Sequence, residues 1–293
     1  MGNIKISEEE TRKLQSVSLE MVKYFDALCR EHRLTYFLCG GCCIGAVRNQ
    51  GFIPWDDDVD VFMPREDYGR LKAVWRDNSK YSIQFETRDL HTANQFVTIH
   101  DNETTFIETY KKDLDINHGV KLDVLPLDGC PQGYKRRFQK LWALSYALFI
   151  VGKAPENHGK VVYGAGKLLL FLVSSKRLRS RIWRLSEKQM SRYPVASCQY
   201  ITELCSGPRY MRLEYPAEVF SGQKYVPFED TFLPIPIGYD TYLTMAFGDY
   251  LTPPPLSQRV CHHEYECLDL EHSYRIYKGK RYCTALTAPQ GHR

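Results

Sequence analysis

The chain has 293 residues, a hydrophobic content of 43%, a charged content of 25% and a net charge of +4. These values are ordinary for a globular protein whose core needs no disulfides, and the length allows one large domain or two small ones. The charge is too small to indicate a nucleic-acid partner by itself. No apolar run reaches the roughly 18 residues that a membrane-spanning helix needs.

Ten cysteines are scattered along the chain. Only Cys39 and Cys42 have the CxxC spacing, and no second pair completes a zinc site. The first residues are polar and acidic, unlike a signal peptide. The pattern predicts reduced thiols in a cytoplasmic protein, with a redox role for Cys39 and Cys42 as the alternative.

The first elements are predicted to be a helix, a short strand and a second helix. A capping-box pattern at Ser7 is followed by apolar residues at spacings of three and four, which form one helix face. Residues 34–38 are typical of a strand, which ends at the glycine pair Gly40-Gly41. Residues 42–49 then predict a helix whose N-terminus follows the glycine turn.

The later elements change in character near residue 131. Before that point we expect a helix from Pro64 and strands at residues 59–63, 81–85, 96–99 and 120–125. Residues 134–192 are helical and basic in pattern, with a loop near 155–159. Residues 206–255 are rich in proline, glycine and tyrosine. They predict irregular segments with one helix at 239–247.

Two apolar runs, residues 141–151 and 168–173, lie in the basic helical stretch. Basic clusters flank them at residues 135–137 and 176–179. We interpret the runs as two buried helices with solvated ends. The alternative is a basic, amphipathic region that rests on an anionic bilayer surface.

An alternating acidic segment, WDDDVDV at residues 55–61, carries the clearest chemical signal. On a strand, Asp58 and Asp60 project to one face while Val59 and Val61 enter the core. Two carboxylates held this close repel each other unless a cation lies between them, and oxygen ligands suit Mg²⁺ or Mn²⁺. The segment therefore predicts a divalent-metal site.

Two other interpretations of the acidic segment remain. An EF-hand loop could begin at Asp56, but Val61 replaces the loop glycine and Asp67 the final glutamate. A solvated acidic turn is the other possibility. It leaves the apolar residues Val59 and Val61 unexplained.

The glycine pair predicts an anion site beside the metal. Glycines let a backbone approach a ligand closely, and a helix N-terminus favours an anion. Gly41, Gly45 and Arg48 share one face of the following helix, so Arg48 could reach back to a phosphate. Donor phosphates would then lie next to the acids.

Several further residues are candidates for the site. Asp123, between Leu122 and Val124, would be a third metal ligand or a base, or else a carboxylate that faces solvent or caps a neighbour. Asp128, before a glycine, is expected to be structural. His262 and His263 would point opposite ways on a strand, so that one contacts phosphate while the other packs.

The chain resembles the LicD family, which includes phosphocholine transferases and is similar to the fukutin-type transferases. The resemblance rests on residues 39–48 (CGGCCIGAVR), 51–60 (GFIPWDDDVD), 122–129 (LDVLPLDG) and 228–236 (FEDTFLPIP), and on the C-terminal Phe247-Gly-Asp249, Pro253-Pro254 and His262-His263. It covers roughly residues 20–130 and 205–265. Residues 134–200 match no motif of the family.

The resemblance implies an α+β nucleotidyltransferase-like fold, a small mixed sheet flanked by helices with a largely helical C-terminal region. We expect a catalytic core at residues 1–130 and, in the same globular unit, a region at 131–293 that completes the substrate site. The implied metal ligands and catalytic residues are Asp58, Asp60 and Asp123. The implied substrate-binding residues are Gly40, Gly41, Cys42, Arg48, Asp56, His262 and His263. Cys42 replaces the threonine or serine usual in the family and is a weaker donor to phosphate.

The implied activity is Mg²⁺- or Mn²⁺-dependent transfer of a phospho-alcohol group. The expected donor is CDP-choline, and the acceptor a sugar hydroxyl of a cell-surface glycan or its precursor, as in lipopolysaccharide or teichoic acid biosynthesis. Phosphoethanolamine, glycerol phosphate or ribitol phosphate are alternative cargoes, and a non-catalytic nucleotide-binding scaffold is an alternative of another class. No nucleic-acid partner is expected. The expected location is the cytoplasm, with peripheral contact to the inner face of a membrane as a further option.

Overall fold

The structure, a computed structural model, describes residues 6–156, 159–261 and 263–284. Its helices are α1 (Glu8–His32), α2 (Gly40–Arg48), α3 (Arg65–Val74), α4 (Tyr134–Val151), α5 (Lys160–Leu172), α6 (Lys176–Met190) and α7 (Tyr239–Phe247). Its strands are β1 (Phe37–Leu38), β2 (Val59–Pro64), β3 (Tyr81–Gln84), β4 (Val97–Asp101), β5 (Thr105–Glu108), β6 (Lys121–Cys130), β7 (Tyr200–Glu203), β8 (Tyr215–Pro216), β9 (Gln223–Phe228), β10 (Thr231–Pro236) and β11 (Tyr265–Asp269). None of the described helices is long and apolar enough to cross a membrane.

The central sheet is mixed and has the order β1-β2-β6-β4-β3. β2 and β6 run parallel, and their register places Asp60 beside Asp123. β7 pairs with the second half of β6, and β8 pairs with β7. The predicted α+β fold, a small mixed sheet flanked by helices, is confirmed.

The long helix α1 begins as its sequence predicts. The Ser7 side chain accepts a hydrogen bond from the Glu10 N–H, and the Glu10 side chain accepts one from the Ser7 N–H. Leu14, Met21 and Phe25, on the predicted apolar face, are buried in the main core. This packing holds α1 against the sheet that carries the acids.

The hydrophobic residues form two main clusters. The larger one surrounds the central sheet and draws on both halves of the chain, from Leu14 to Tyr265. The second lies between α4 and α6, around Tyr146 and Trp183. Phe96 packs against both clusters, so the helical region α4–α6 is joined to the sheet at this side chain.

Several strands were missed by the periodicity analysis. β9 and β10 form a two-stranded hairpin in the stretch predicted to be irregular, because prolines such as Pro227 and Pro234 mask the pattern. Proline is tolerated in such a hairpin since one side of each strand is unpaired. β5 pairs with β11 across a long sequence separation, and neither strand was predicted.

One prediction about the helical region is wrong. The run at residues 141–151 is partly buried in α4, as expected, through Ala143 and Ile150. The second run is not buried, because within α5 Val161 and Phe171 are 84% and 78% exposed. Only one face of α5 meets the rest of the described chain.

Candidate active site

The acidic pair lies at the floor of a cleft of about 980 Å³. Val59 and Val61 of β2 are buried in the hydrophobic core, with 1% and 0% exposure, as the alternation predicts. Asp58 and Asp60 therefore project to the other face, where both line the cleft and stay partly accessible. The sheet itself thus brings two carboxylates to one opening.

The acids that precede β2 join this group. Carboxylate oxygens of Asp56, Asp57 and Asp58 all lie within 4.8 Å of one another. Asp56 and Asp57 are buried, so the solvated-turn interpretation is wrong. The segment runs from a turn into a strand instead of joining two helices, which also excludes an EF-hand.

Asp123 reaches the site from β6. Its Oδ2 accepts a hydrogen bond from Lys121 Nζ at 2.8 Å, whereas its buried Oδ1 has no hydrogen-bond partner among the described residues. Lys121 Nζ also lies 3.2 Å from Glu108 Oε1, and Glu108 Oε2 accepts from Lys111 Nζ at 2.6 Å. Asp123 Oδ2 is thus held by a buried ion pair, whereas Asp123 Oδ1 has no hydrogen-bond donor in the described part of the chain.

The pKa values of the acidic group show strong mutual repulsion. Burial, followed by the nearby charges of Asp58 and Asp57, raises the pKa of Asp56 well above its usual range. Burial and the charges of Asp58 and Asp123 do the same to the pKa of Asp60. The pKa of Asp58 is also raised, mainly by burial. A cation would relieve this repulsion.

His263 supplies a partial counter-charge. Its Nδ1 lies 3.2 Å from Asp57 Oδ1, and its Nε2 lies 3.9 Å from Asp58 Oδ2. Burial alone would lower the pKa of His263, but the hydrogen bond to Asp57 and the charge of Asp58 raise it. His263 therefore contacts the acids, and its predicted contact with substrate stays a prediction. Its neighbour His262 lies outside the described residues.

The cluster of aspartates fits a divalent cation. The atoms that it offers as ligands are carboxylate oxygens, which suit Mg²⁺ and Mn²⁺. Two of them, Asp56 Oδ2 and Asp123 Oδ1, are buried without a hydrogen-bond partner in the described part of the chain. The tightest carboxylate cluster is Asp56–Asp58, whereas the predicted ligands are Asp58, Asp60 and Asp123. Both sets share Asp58.

The glycine pair lies inside α2, which begins two residues earlier than predicted. Gly40 has a φ of +54°, which favours glycine, and its N–H donates to Tyr242 Oη at 2.9 Å. A Cβ on Gly41 would lie 2.1 Å from Asp56 Oδ2, so only glycine admits this carboxylate. The glycines line the cleft beside the acids.

Arg48 lines the same cleft, and Arg259, which the sequence did not indicate, lies close to it on the Trp55 ring. The guanidinium carbons of Arg48 and Arg259 lie 5.9 and 5.1 Å from the centre of the Trp55 ring. Burial and the charge of Arg259 lower the pKa of Arg48. This positively charged cluster could neutralise a phosphate at the edge of the acidic floor.

The two CxxC cysteines do not contribute reactive thiols. Cys42 is 2% exposed, and its Sγ donates to the Asp58 carbonyl at 3.6 Å, so it supports the backbone of an acid and does not face the cleft. Burial raises the pKa values of Cys39 and Cys42 well above their usual range, which disfavours the thiolate that redox chemistry needs.

Other residues at the site were missed by sequence analysis. Lys121 precedes Asp123 by two positions on a strand, a spacing that places both on one face and could have been noticed. Asp57 belongs to the acidic run itself. Glu203, at the end of β7, gave no signal; it lines the cleft, and burial raises its pKa to about 7.

Comparison with known proteins identifies the family of this chain. Residues 33–143 match the family described as LicD/FKTN/FKRP, nucleotidyltransferase domain, and this range includes the glycine pair, the acidic segment and Asp123. The chain is 30% identical over 266 residues to lipopolysaccharide cholinephosphotransferase LicD of Haemophilus influenzae, covering 86% of this chain and 95% of that protein. An uncharacterized protein of Rickettsia prowazekii is 31% identical over 77 residues, which cover 24% of this chain and 29% of that protein. The chain therefore belongs to the LicD family of phosphotransferases.

Proposed function

We propose that the protein transfers phosphocholine from CDP-choline to a sugar hydroxyl of a cell-surface glycan or its precursor, in a reaction that depends on Mg²⁺ or Mn²⁺. The observation that carries the proposal is that Asp58 and Asp60 line one cleft, while the register of the parallel strands β2 and β6 places Asp123 beside Asp60. The similarity to a lipopolysaccharide cholinephosphotransferase supports the choice of cargo and acceptor.

The residues of the cleft would have different roles according to their positions. Asp58, Asp60 and Asp123 would hold the divalent ion, which when bound supplies positive charge to the donor diphosphate. Arg48 and the first turn of α2 would hold the phosphates of the leaving nucleotide. As the alternative to binding the ion, Asp123 Oδ1 would accept the proton of the attacking hydroxyl, while Lys121 holds Oδ2.

Aromatic residues of the cleft would suit a choline group. Tyr210 and Phe247 both line the cleft, with their ring centres 6.2 Å apart. Aromatic faces attract a quaternary ammonium. Glycerol phosphate and ribitol phosphate carry no such cation, so these rings favour choline over those cargoes.

The test is CMP release by purified protein from CDP-choline, measured with Mg²⁺, with Mn²⁺ and with a chelator. We expect release only with a metal, and a large loss when Asp58 is replaced by Asn. Equal release from CDP-glycerol or CDP-ribitol would contradict the cargo. Binding of CDP-choline without CMP release, with an acceptor glycan present, would favour the non-catalytic scaffold instead.

We also propose a reducing compartment, the cytoplasm, for this reaction. All ten cysteines lie in the described part of the chain and are free thiols. Disulfides are rare where glutathione keeps thiols reduced. Mass spectrometry of protein from cells, alkylated before lysis, should find the ten thiols unpaired, and a stable native disulfide would contradict the assignment.

A further inference from the structure

Helix α5 presents an unusually apolar surface. Its exposed side chains include Val161 at 84%, Phe171 at 78%, Leu172 at 66% and Leu168 at 58%. Within this helix only Gly166 and Leu170 are buried. Soluble monomers seldom expose large aliphatic and aromatic side chains in one cluster, and such clusters mark interaction sites.

The neighbouring helix α4 extends this apolar surface. Tyr134, Phe138, Leu141 and Leu144 recur at spacings of four, three and three, and each is between 46% and 69% exposed. This spacing places them on one helix face. We call the exposed apolar side chains of α4 and α5 the apolar face.

Basic residues accompany the apolar face. A crevice of about 280 Å³ at α6 is lined by Arg88, Lys176, Arg177, Ser180, Arg181 and Arg184. The lining contains five cations and no carboxylate. All its lining residues except Arg88 belong to α6, which begins four residues after the end of α5. Its size and charge suit a phosphate group.

The charge of the whole chain is divided unevenly. Residues 134–190, which span α4 to α6, contain thirteen lysines and arginines and two glutamates, a net charge of +11. Since the chain as a whole has a net charge of +4, the remaining residues sum to −7. The apolar face therefore lies in the one strongly basic part of a chain that is otherwise acidic.

We propose that α4, α5 and α6 dock the protein on an anionic phospholipid bilayer, with the apolar face inserted at the headgroup level and the basic crevice on lipid phosphates. Apolar side chains beside lysine and arginine are the combination that binds such surfaces. A second copy of the chain is a poorer occupant. Two copies meeting through this face would bring two groups of charge +11 together.

Docking through these helices would bring the cleft close to the bilayer. Phe96 packs against the α4–α6 cluster and also lines the cleft. Tyr146 of α4 donates a hydrogen bond to the neighbouring Gln95 carbonyl at 2.7 Å, and Gln95 lines the cleft too. The docking surface is thus attached directly to a wall of the active site.

Vesicle flotation tests the proposal without any measurement of activity. Full-length protein should float with vesicles made of roughly 7:3 phosphatidylcholine and phosphatidylglycerol, and at least tenfold less with phosphatidylcholine alone, since several basic residues each add affinity for an anionic surface. Binding should also fall in roughly 0.5 M salt, where charges are screened within a few ångströms. Equal binding to both vesicle types, or none to either, would overturn the proposal.

Paired substitutions separate the two parts of the surface. Phe171→Ser with Leu172→Ser, and Arg177→Glu with Arg181→Glu, should each weaken binding to the anionic vesicles on the order of tenfold. The controls, the single substitutions Phe232→Ser and Lys280→Glu, replace exposed residues of the same type outside α4–α6 and should bind like wild type. Circular dichroism melts would verify that all variants fold.

Two outcomes would contradict the bilayer as occupant. One is vesicle binding that the α5 and α6 substitutions leave unchanged. The other is a stable dimer in lipid-free sedimentation velocity that the Phe171→Ser and Leu172→Ser pair dissociates. The Asp60→Asn variant should bind vesicles like wild type, so failure of the docking proposal is distinguishable from failure of the proposed activity.

Discussion

Two buried aspartates on the same strand, β6, are paired in different ways. At the C-terminal end both oxygens of Asp128 are bonded by Arg65, with Nε at 2.7 Å and Nη2 at 2.6 Å. At the N-terminal end Lys121 bonds only one oxygen of Asp123. A fully satisfied carboxylate stabilises the fold, whereas a half-satisfied one keeps an oxygen available for a ligand. We propose that this difference distinguishes a structural acid, Asp128, from a metal-binding one, Asp123.

The largest expected effect is on activity, at the half-satisfied acid. Asp123→Asn should lower the turnover of CDP-choline on the order of a thousandfold, because charge stabilisation by a bound metal is worth several kcal/mol. Its stability should change little, since Lys121 retains Glu108 as a partner. The measurement is CMP release under saturating metal and donor. Full turnover in the Asp123→Asn variant would show that Asp123 is not needed at the active site.

The matched substitution at the C-terminal end of β6, Asp128→Asn, should lower stability instead of activity. Asp128→Asn leaves the Arg65 guanidinium buried without its bidentate partner, which should cost about 3–5 kcal/mol of the free energy of unfolding. Urea unfolding measures this loss. The folded fraction should keep near-normal turnover. If the Asp128→Asn variant were as stable as wild type but inactive, Asp128 would be needed for activity and not for stability, which would contradict the comparison.

A third buried acid, Glu203, lies beside β6 on β7 and gives a pH dependence. Burial raises its pKa from 4.5 to about 7. Between these values the folded chain holds a proton that the unfolded chain has lost, so the free energy of unfolding falls as pH rises. The slope is about 1.4 kcal/mol per pH unit, and the loss ends above pH 7. Unfolding curves from pH 5 to 8 measure it.

The control for this pH dependence is Glu203→Gln. Glutamine keeps the size of the side chain and cannot titrate, so the slope between pH 5 and 7 should shrink by the Glu203 contribution. Identical slopes in the variant and in wild type would mean that another group titrates there.

A smaller effect is expected at the lysine that orients Asp123. Lys121→Met should weaken Mn²⁺ binding about 10- to 100-fold, the usual cost of losing a partner that positions a metal ligand. Lys121→Arg should retain most of the affinity, because it keeps a buried cation beside the carboxylate. Titration of free Mn²⁺ by electron paramagnetic resonance measures binding independently of turnover. Unchanged affinity in Lys121→Met would show that the ion pair does not position Asp123.

The sequence predicted the part of the site that depends on local periodicity. Alternation of Asp58 and Asp60 with valines fixes which side chains share a face, and the structure agrees. That Asp123 lies beside Asp60 followed only from the family resemblance, because strand pairing is decided by contacts distant in sequence. Glu203 could not be predicted for the same reason.

The exposure of helix α5 could not be predicted from the sequence. An apolar run such as LLLFLV at residues 168–173 has the same pattern whether it packs in a core or faces outward. Only the arrangement of α4 and α6 shows that most of α5 is left uncovered. The β9–β10 hairpin was missed because its prolines mimic a loop.

Crystals grown with Mn²⁺ and CDP-choline would show whether the acids of the β2 and β6 segments bind one divalent ion. We expect an anomalous peak within bonding distance of Asp58, Asp60 and Asp123 Oδ1, with Lys121 still bonded to Oδ2. A peak held only by Asp56, Asp57 and Asp58, with Asp60 and Asp123 unbound, or no peak at all, would contradict it.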